Sequence, residues 1–158
     1  MDVFASTFHQ AADAGSASPA ANRHMTMFRR CVDQDDAAVM VARCARPGAP
    51  LSGDYYLLLT QRRLVVTQET RALHRQRLHL NAYLRHLNNV TWRLDLSKPG
   101  IELAATAVDG VRERFRLRLA DTETVWRVEE LLRQVFHGRP AVVAAPARRA
   151  PMGAPVLA

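Results

Sequence analysis

Residues 111–119 run Val-Arg-Glu-Arg-Phe-Arg-Leu-Arg-Leu. In an extended chain, successive side chains point to opposite faces. Arg112, Arg114, Arg116 and Arg118 therefore share one face, and Val111, Phe115, Leu117 and Leu119 share the other. A helix would scatter both sets around its circumference. The stretch is constrained to be a strand with one face in a core and four guanidinium groups in solvent.

The alternation continues upstream. Val90, Trp92, Leu94 and Leu96 alternate with Thr91, Arg93 and Asp95, and Ile101, Leu103, Ala105 and Ala107 line one face of the next strand. Ser97-Lys98-Pro99-Gly100 separates the two as a turn. Asp109-Gly110 predicts a two-residue hairpin into the arginine strand. Four earlier strands are predicted over 37–45, 55–60, 64–68 and 73–80, the first with Val39 and Val41 on one face. Residues 83–87 read as a turn or a single helical turn.

Three segments carry the helical period. Over 122–136, Asp121 is the N-cap and Val125, Val128, Leu131, Leu132, Val135 and Phe136 form an apolar face. Glu123/Arg127 and Glu129/Arg133 are i,i+4 pairs expected on the wet side, and Gly138 and Pro140 end the helix. Over 22–33, Asn22 is the expected cap, with Met25, Phe28 and Val32 at helical spacing. In the Ala/Ser-rich residues 1–21, Val3, Phe4, Thr7, Phe8, Ala11 and Ala12 fall on one side of a short helix capped by Asp2. The expected organisation is a flexible tail over 1–21, a domain over 22–138 and a flexible Ala/Pro/Arg tail over 139–158. Phe4 and Phe8, one turn apart, are alternatively a docking motif.

The length suits one domain with a core of its own. No apolar run approaches the roughly 20 residues of a membrane-spanning helix. Met1-Asp2-Val3-Phe4 is acidic and no apolar signal region follows, so a cytoplasmic protein is expected, peripheral to the membrane if it binds lipid. Cys31 and Cys44 are too few for a disulfide framework and lack CxxC spacing, so they read as reduced thiols. The net charge is +7, and Lys98 is the only lysine. A basic chain favours anionic partners: nucleic acid, anionic lipid or an acidic protein face.

Candidate chemistry is sparse. The sequence shows no HExxH, no phosphate-binding glycine loop and no Ser/His/Asp order, which argues against an enzyme. His74, His79 and His86 lack interleaved acidic or Cys ligands, and His74 and His79 point to opposite faces of a continuous strand, so no metal or other cofactor is expected. Residues 73–118 hold nine Arg or Lys against four acids. Arg75 and Arg77 share a face of the fourth predicted strand with Leu73 and His79, while Arg112, Arg114, Arg116 and Arg118 line the seventh. These six arginines are the expected anionic-partner site. Nucleic-acid binding would want aromatics among them for base stacking, but Trp92 and Phe115 fall on apolar faces.

The phrase Tyr56-Leu57-Leu58-Leu59-Thr60-Gln61-Arg62-Arg63-Leu64-Val65-Val66, within seven strands followed by one helix, resembles bacterial pleckstrin-homology-like domains and the related GRAM domains. Thr60, Arg63 and Leu64 match the Thr-x-x-Arg-Leu hairpin of those families, and Trp126 and Phe136 match an aromatic on the closing helix. The resemblance spans about residues 37–137. It implies a mainly β (α+β) fold: a seven-stranded antiparallel barrel of two orthogonal sheets, plugged by the C-terminal helix, here with a short N-terminal helix added. It also implies anionic phospholipid headgroups, held by basic residues around the loop between strands 1 and 2. This chain departs there: it offers only Arg43 and Arg46, and strand 2 opens with Tyr55-Tyr56 rather than a basic pair. The expected function is a non-enzymatic module docking on anionic lipid or an acidic protein. The alternatives are a nucleic-acid-binding accessory protein, and an adaptor that uses a sheet edge or the Phe4/Phe8 segment.

Overall fold

The computed structural model describes residues 2–17, 20–49, 53–70, 73, 75–136 and the backbone of 142–143. Seven antiparallel strands form one sheet: β1 (Ala38–Ala45), β2 (Asp54–Thr60), β3 (Arg63–Glu69), β4 (Gln76–Tyr83), β5 (Asn88–Asp95), β6 (Gly100–Thr106) and β7 (Arg112–Arg118). Their spatial order is β4-β3-β2-β1-β7-β6-β5, and a two-residue strand β8 (Val142–Val143) lies parallel to β5 at that edge. The helices are α1 (Val3–Ala14), α2 (Met25–Cys31) and α3 (Thr122–Val135), with 3-10 turns at Ala20–His24 and Leu84–His86.

The sheet folds over on itself. His79 of β4 stacks edge-on against Phe115 of β7, although three strands separate β4 from β7 in the sheet. The enclosed core joins Tyr55, Leu57, Leu64 and Val66 to Trp92, Leu103, Phe115 and Leu117. Helix α3 closes it with Val125, Val128, Leu132 and Phe136. Asp121 caps α3 by accepting from Thr124 N at 2.8 Å.

The expected closed barrel of two sheets does not form. Pairing of Arg43 with Arg118 and Ala45 with Arg116 joins the two halves into one sheet. β4 and β5 do not pair, because the 3-10 turn between them sends Leu84 and Leu87 into the core. The sheet therefore stays open.

A second core lies on the outer face of β1–β3, and it corrects the expectation for residues 1–21. These residues are not a loose tail over their helical part: Phe4, Phe8, Ala11 and Ala12 of α1 are buried with Phe28 of α2 against Val41, Tyr56, Leu58 and Val65. Strands β2 and β3 are apolar on both sides, so a single core could not have covered them. Asp2 caps α1 as expected, accepting from Ala5 N at 2.9 Å. Asn22 is not a helix cap. It sits inside the 3-10 turn that leads into α2, and α2 has no side-chain cap.

Smaller corrections have local causes. An irregularity between Ala38 and Met40 separates Val39 from Val41, which serve opposite cores. β4 begins at Gln76, so Leu73 and Arg75 precede it. A bulge opposite Val66/Thr67 makes His79 the extra residue between Leu78 and Leu80. The last hairpin has a three-residue loop, closed by Ala107 N to Val111 O at 2.9 Å, with Gly110 at φ +83°. Glu129 is buried rather than wet: it accepts from the Trp92 indole at 3.3 Å and from Arg133 at 2.9 Å. Phe136 packs on Trp92, whereas Trp126 is exposed. His74, Gly138 and the expected tail, apart from the backbone of 142–143, lie outside the described residues.

Candidate functional site

The alternation read from the sequence holds on β7. Arg112, Arg114 and Arg118 are exposed and Arg116 is half-buried, while Phe115 and Leu117 are in the core. The register of β5, β6 and β7 arranges the outer face in rows. Thr106 lies beside Arg112; Thr91, Ala104 and Arg114 form the next row; Arg93, Glu102 and Arg116 the third; Asp95, Gly100 and Arg118 the last. β1 continues this face, with Arg43 opposite Arg118.

The arginines are not equivalent. Arg112 lies flat across β6, donating to Asn89 O, Thr106 Oγ1 and Thr91 Oγ1 at 2.9–3.1 Å. Arg116 reaches the other way, donating to Asp95 Oδ2 at 3.1 Å and Lys98 O at 2.9 Å. Gly100 lets the β6 backbone come close to β7 beside it. A Cβ there would stand 2.4 Å from Leu117 O and 3.5 Å from the Arg116 guanidinium. Arg93 donates to Glu102 Oε1 at 2.7 Å. Among the described residues, the ion-pair partner of Arg114 is Glu102, at 3.7 Å. Arg118 makes no hydrogen bond or ion pair among the described residues. Ala104, small and nearly buried, leaves a cavity of about 210 Å³ between Thr91, Arg93, Glu102, Arg112 and Arg114.

Asp95 earns its place twice. It accepts from Ser97 N, Ser97 Oγ and Lys98 N, and the Ser97 hydroxyl above all holds its carboxyl down at about 2. The turn it builds also presents Lys98 O to Arg116.

Arg75 and Arg77 do not join this face. Both are exposed at the start of β4, across the sheet from β7. The antiparallel topology brings the C-terminal ends of β1, β3 and β6 to that end of the molecule. Leu73, Val108 and Val111 are exposed there. Just inside, Glu113 lies 3.1 Å from His79 Nε2 and 3.8 Å from Arg46, and Arg46 sits over the Tyr55 ring. The six predicted site residues thus fall in two places.

Sequence reasoning missed Glu102 and Ala104. The period of strand 6 puts both opposite Ile101, Leu103 and Ala105, but only register shows which arginines they meet. It also missed the buried group beneath the 3-10 turn. His24 lies 2.8 Å from Thr67 Oγ1 and 2.9 Å from Glu69 Oε1 and stacks on Tyr56, while Arg23 covers Glu69 at 3.3–3.4 Å. Burial pushes the His24 pKa below its ordinary value despite Glu69. A further groove of about 260 Å³ runs between α1 and α3, lined by Ala11, Ala14, Val39 and Leu131. Among the described residues no cluster of three His, Cys, Asp or Glu could hold a metal, and no helix is long and apolar enough to cross a membrane.

No family model matches the chain, and no curated protein does. Among solved structures it is similar to the PDZ-RhoGEF DH/PH domains in complex with GTP-gamma-S-activated RhoA, at TM-score 0.45 and 16% identity over 77% of this chain and 34% of that one. It is also similar to Vav1 inhibited by an allosteric inhibitor, at TM-score 0.44 and 14% identity over 80% of this chain and 34% of that one. The chain spans about a third of the length of both.

Proposed function

We propose that this protein is a non-enzymatic binding module that docks on an acidic protein surface through the outer face of β5–β7. One observation carries the reading. Helices α1 and α2 cover the outer face of β1–β3, whereas among the described residues no helix lies over that of β5–β7, which is lined with arginine. Arg93, Arg112, Arg114, Arg116 and Arg118 stand there against Asp95 and Glu102, and Arg43 of the neighbouring β1 lies beside Arg118. None of the exposed large apolar side chains lies within the face, so nothing on it would insert into lipid or stack on bases.

The test uses a labelled oligoglutamate peptide at two salt concentrations. Arg114 and Arg118 are exposed and lightly partnered, so replacing both by Gln should leave folding stability within about 0.5 kcal/mol. Exposed charge pairs contribute about 0.2–1 kcal/mol each, so affinity should fall by roughly tenfold and its salt dependence should flatten. Unchanged affinity and salt slope would remove the face as the docking surface.

A second reading has its own observation. Leu73, Val108 and Val111 are exposed on the loops at the end of the sheet where Arg75 and Arg77 lie. Apolar tips ringed by arginine suit peripheral docking on anionic lipid. Binding to phosphatidylserine vesicles that is lost in Arg75→Gln/Arg77→Gln, and kept in Arg114→Gln/Arg118→Gln, would favour it.

A further inference from the structure

We propose that the notch over Ala104 seats one carboxylate side chain of an extended acidic protein segment, and that Glu102 partly fills it in the free protein as a built-in competitor. This deepens the docking reading above and rests on it.

The notch exists because of one small residue. Along the outer face of β6, Ala104 stands between Glu102 and Thr106, with Thr91 and Arg114 beside it on the flanking strands. A longer side chain there would project into the cavity of about 210 Å³. Three guanidinium groups, from Arg93, Arg112 and Arg114, border the notch against the single carboxylate of Glu102. Arg112 is pinned by its bonds to Asn89 O, Thr106 and Thr91 and serves as a fixed wall. Arg93 and Arg114 are the movable pair, with side chains 70% and 61% exposed.

Glu102 divides itself unequally between those two. It takes a hydrogen bond from Arg93 at 2.7 Å and stops 3.7 Å short of Arg114. Among the described residues the fork of Arg114 therefore has no close acceptor, and guanidinium binds carboxylate best when both N–H groups of the fork are used. An incoming carboxylate in the notch would complete the Arg114 fork and compete with Glu102 for Arg93. Spacing favours an extended peptide as its carrier. Alternate residues of such a segment project about 6.5–7 Å apart, the repeat of Arg114, Arg116 and Arg118 along β7.

The experiment measures binding of labelled oligoglutamate to the full chain and to three variants. Glu102→Gln removes the competitor and should raise affinity by roughly threefold to tenfold. Glu130→Gln makes the same change in net charge at an exposed position of α3, away from the face, and it should raise affinity by less than twofold. Ala104→Val narrows the notch at its floor without changing charge and suits a strand; it should weaken binding at least about fivefold with an unaltered thermal transition. Equal gains from Glu102→Gln and Glu130→Gln would show a general charge effect and overturn the notch. So would full affinity in Ala104→Val, or an Ala104→Val protein whose loss of binding is matched by unfolding while Glu102→Gln shows no gain. If Arg114→Gln/Arg118→Gln loses binding while Glu102→Gln and Ala104→Val behave as the wild type, the face docks and the notch does not. If no form binds the peptide, both readings fall. Phosphatidylserine vesicles or single-stranded DNA responding to the notch variants as strongly as the peptide would overturn the assignment to an acidic protein segment.

Discussion

Single side chains decide how the layers of this molecule hold together. Thr60 shows why the Thr-x-x-Arg hairpin pattern works. Its hydroxyl accepts from Arg62 N and Arg63 N at 3.1 and 2.8 Å and donates to the buried Asp36 at 2.6 Å. One oxygen thus tightens the β2–β3 reversal and anchors the segment leading into β1. His24 does the same for the N-terminal layer, and it titrates. Its folded pKa lies below its ordinary 6.5, because burial disfavours the charged ring. The unfolded chain therefore takes up a proton first as pH falls. The contribution is fully present above about pH 6.5 and is lost as pH drops from there through the lowered folded value. Urea midpoints should fall across that window in the wild type and fall less in His24→Gln. The substitution itself should cost about 1–3 kcal/mol at pH 7.5, since Thr67 and Glu69 lose a partner. An identical pH slope in both proteins would remove His24 as the cause.

At the scale of elements, α1 is the instructive case. The apolar stripe Phe4, Phe8, Ala11, Ala12 was legible in the sequence. Its partner was not, because that partner is one face of three strands whose other face also lies in a core. A signal was available: Tyr55–Leu59 is apolar without alternation, and a strand that does not alternate is covered on both sides. Phe8 is fully buried, with ring centroids 5.6 Å from Phe4 and 6.3 Å from Phe28. Phe8→Ala should cost about 3–5 kcal/mol in equilibrium unfolding. A cost below about 1 kcal/mol would mean that α1 does not hold this position. The arginine strand was legible for the opposite reason: alternation with a charged face admits one placement, and Glu113, the one charged residue on the apolar face, is met there by His79 and Arg46. The buried Glu129 was misjudged because an i,i+4 ion pair looks the same in sequence whether or not an indole lies against it.

On the scale of the whole molecule, two cores share one sheet. One is enclosed by the folded-over strands and α3, and the other by α1 and α2 on the outer face of β1–β3. Strands β1, β2 and β3 belong to both, so the two should not melt separately. Trp92, buried against Phe136, reports the first core, and far-UV circular dichroism reports all helices and strands together. The two signals should trace one transition, and Phe8→Ala should shift both by the same amount. A Trp92 transition left in place by Phe8→Ala would show independent layers. We propose on the same ground that the folded unit begins at α1 rather than near residue 22.

Local alternation, helical spacing, turn residues and caps determined the seven strands, the closing helix and the outward set of β7 arginines, because each depends on neighbours within a few positions. Tertiary structure alone decided that the sheet stays single and open, that α1 is covered against it, and that Arg75 and Arg77 stand apart from the β7 face. It also decided which arginines are spent on Thr91, Thr106 and Asp95, and that Ala104 leaves a notch beside Glu102. Those outcomes depend on register between strands far apart in sequence. A shift of one residue in that register would turn every one of these side chains to the other face.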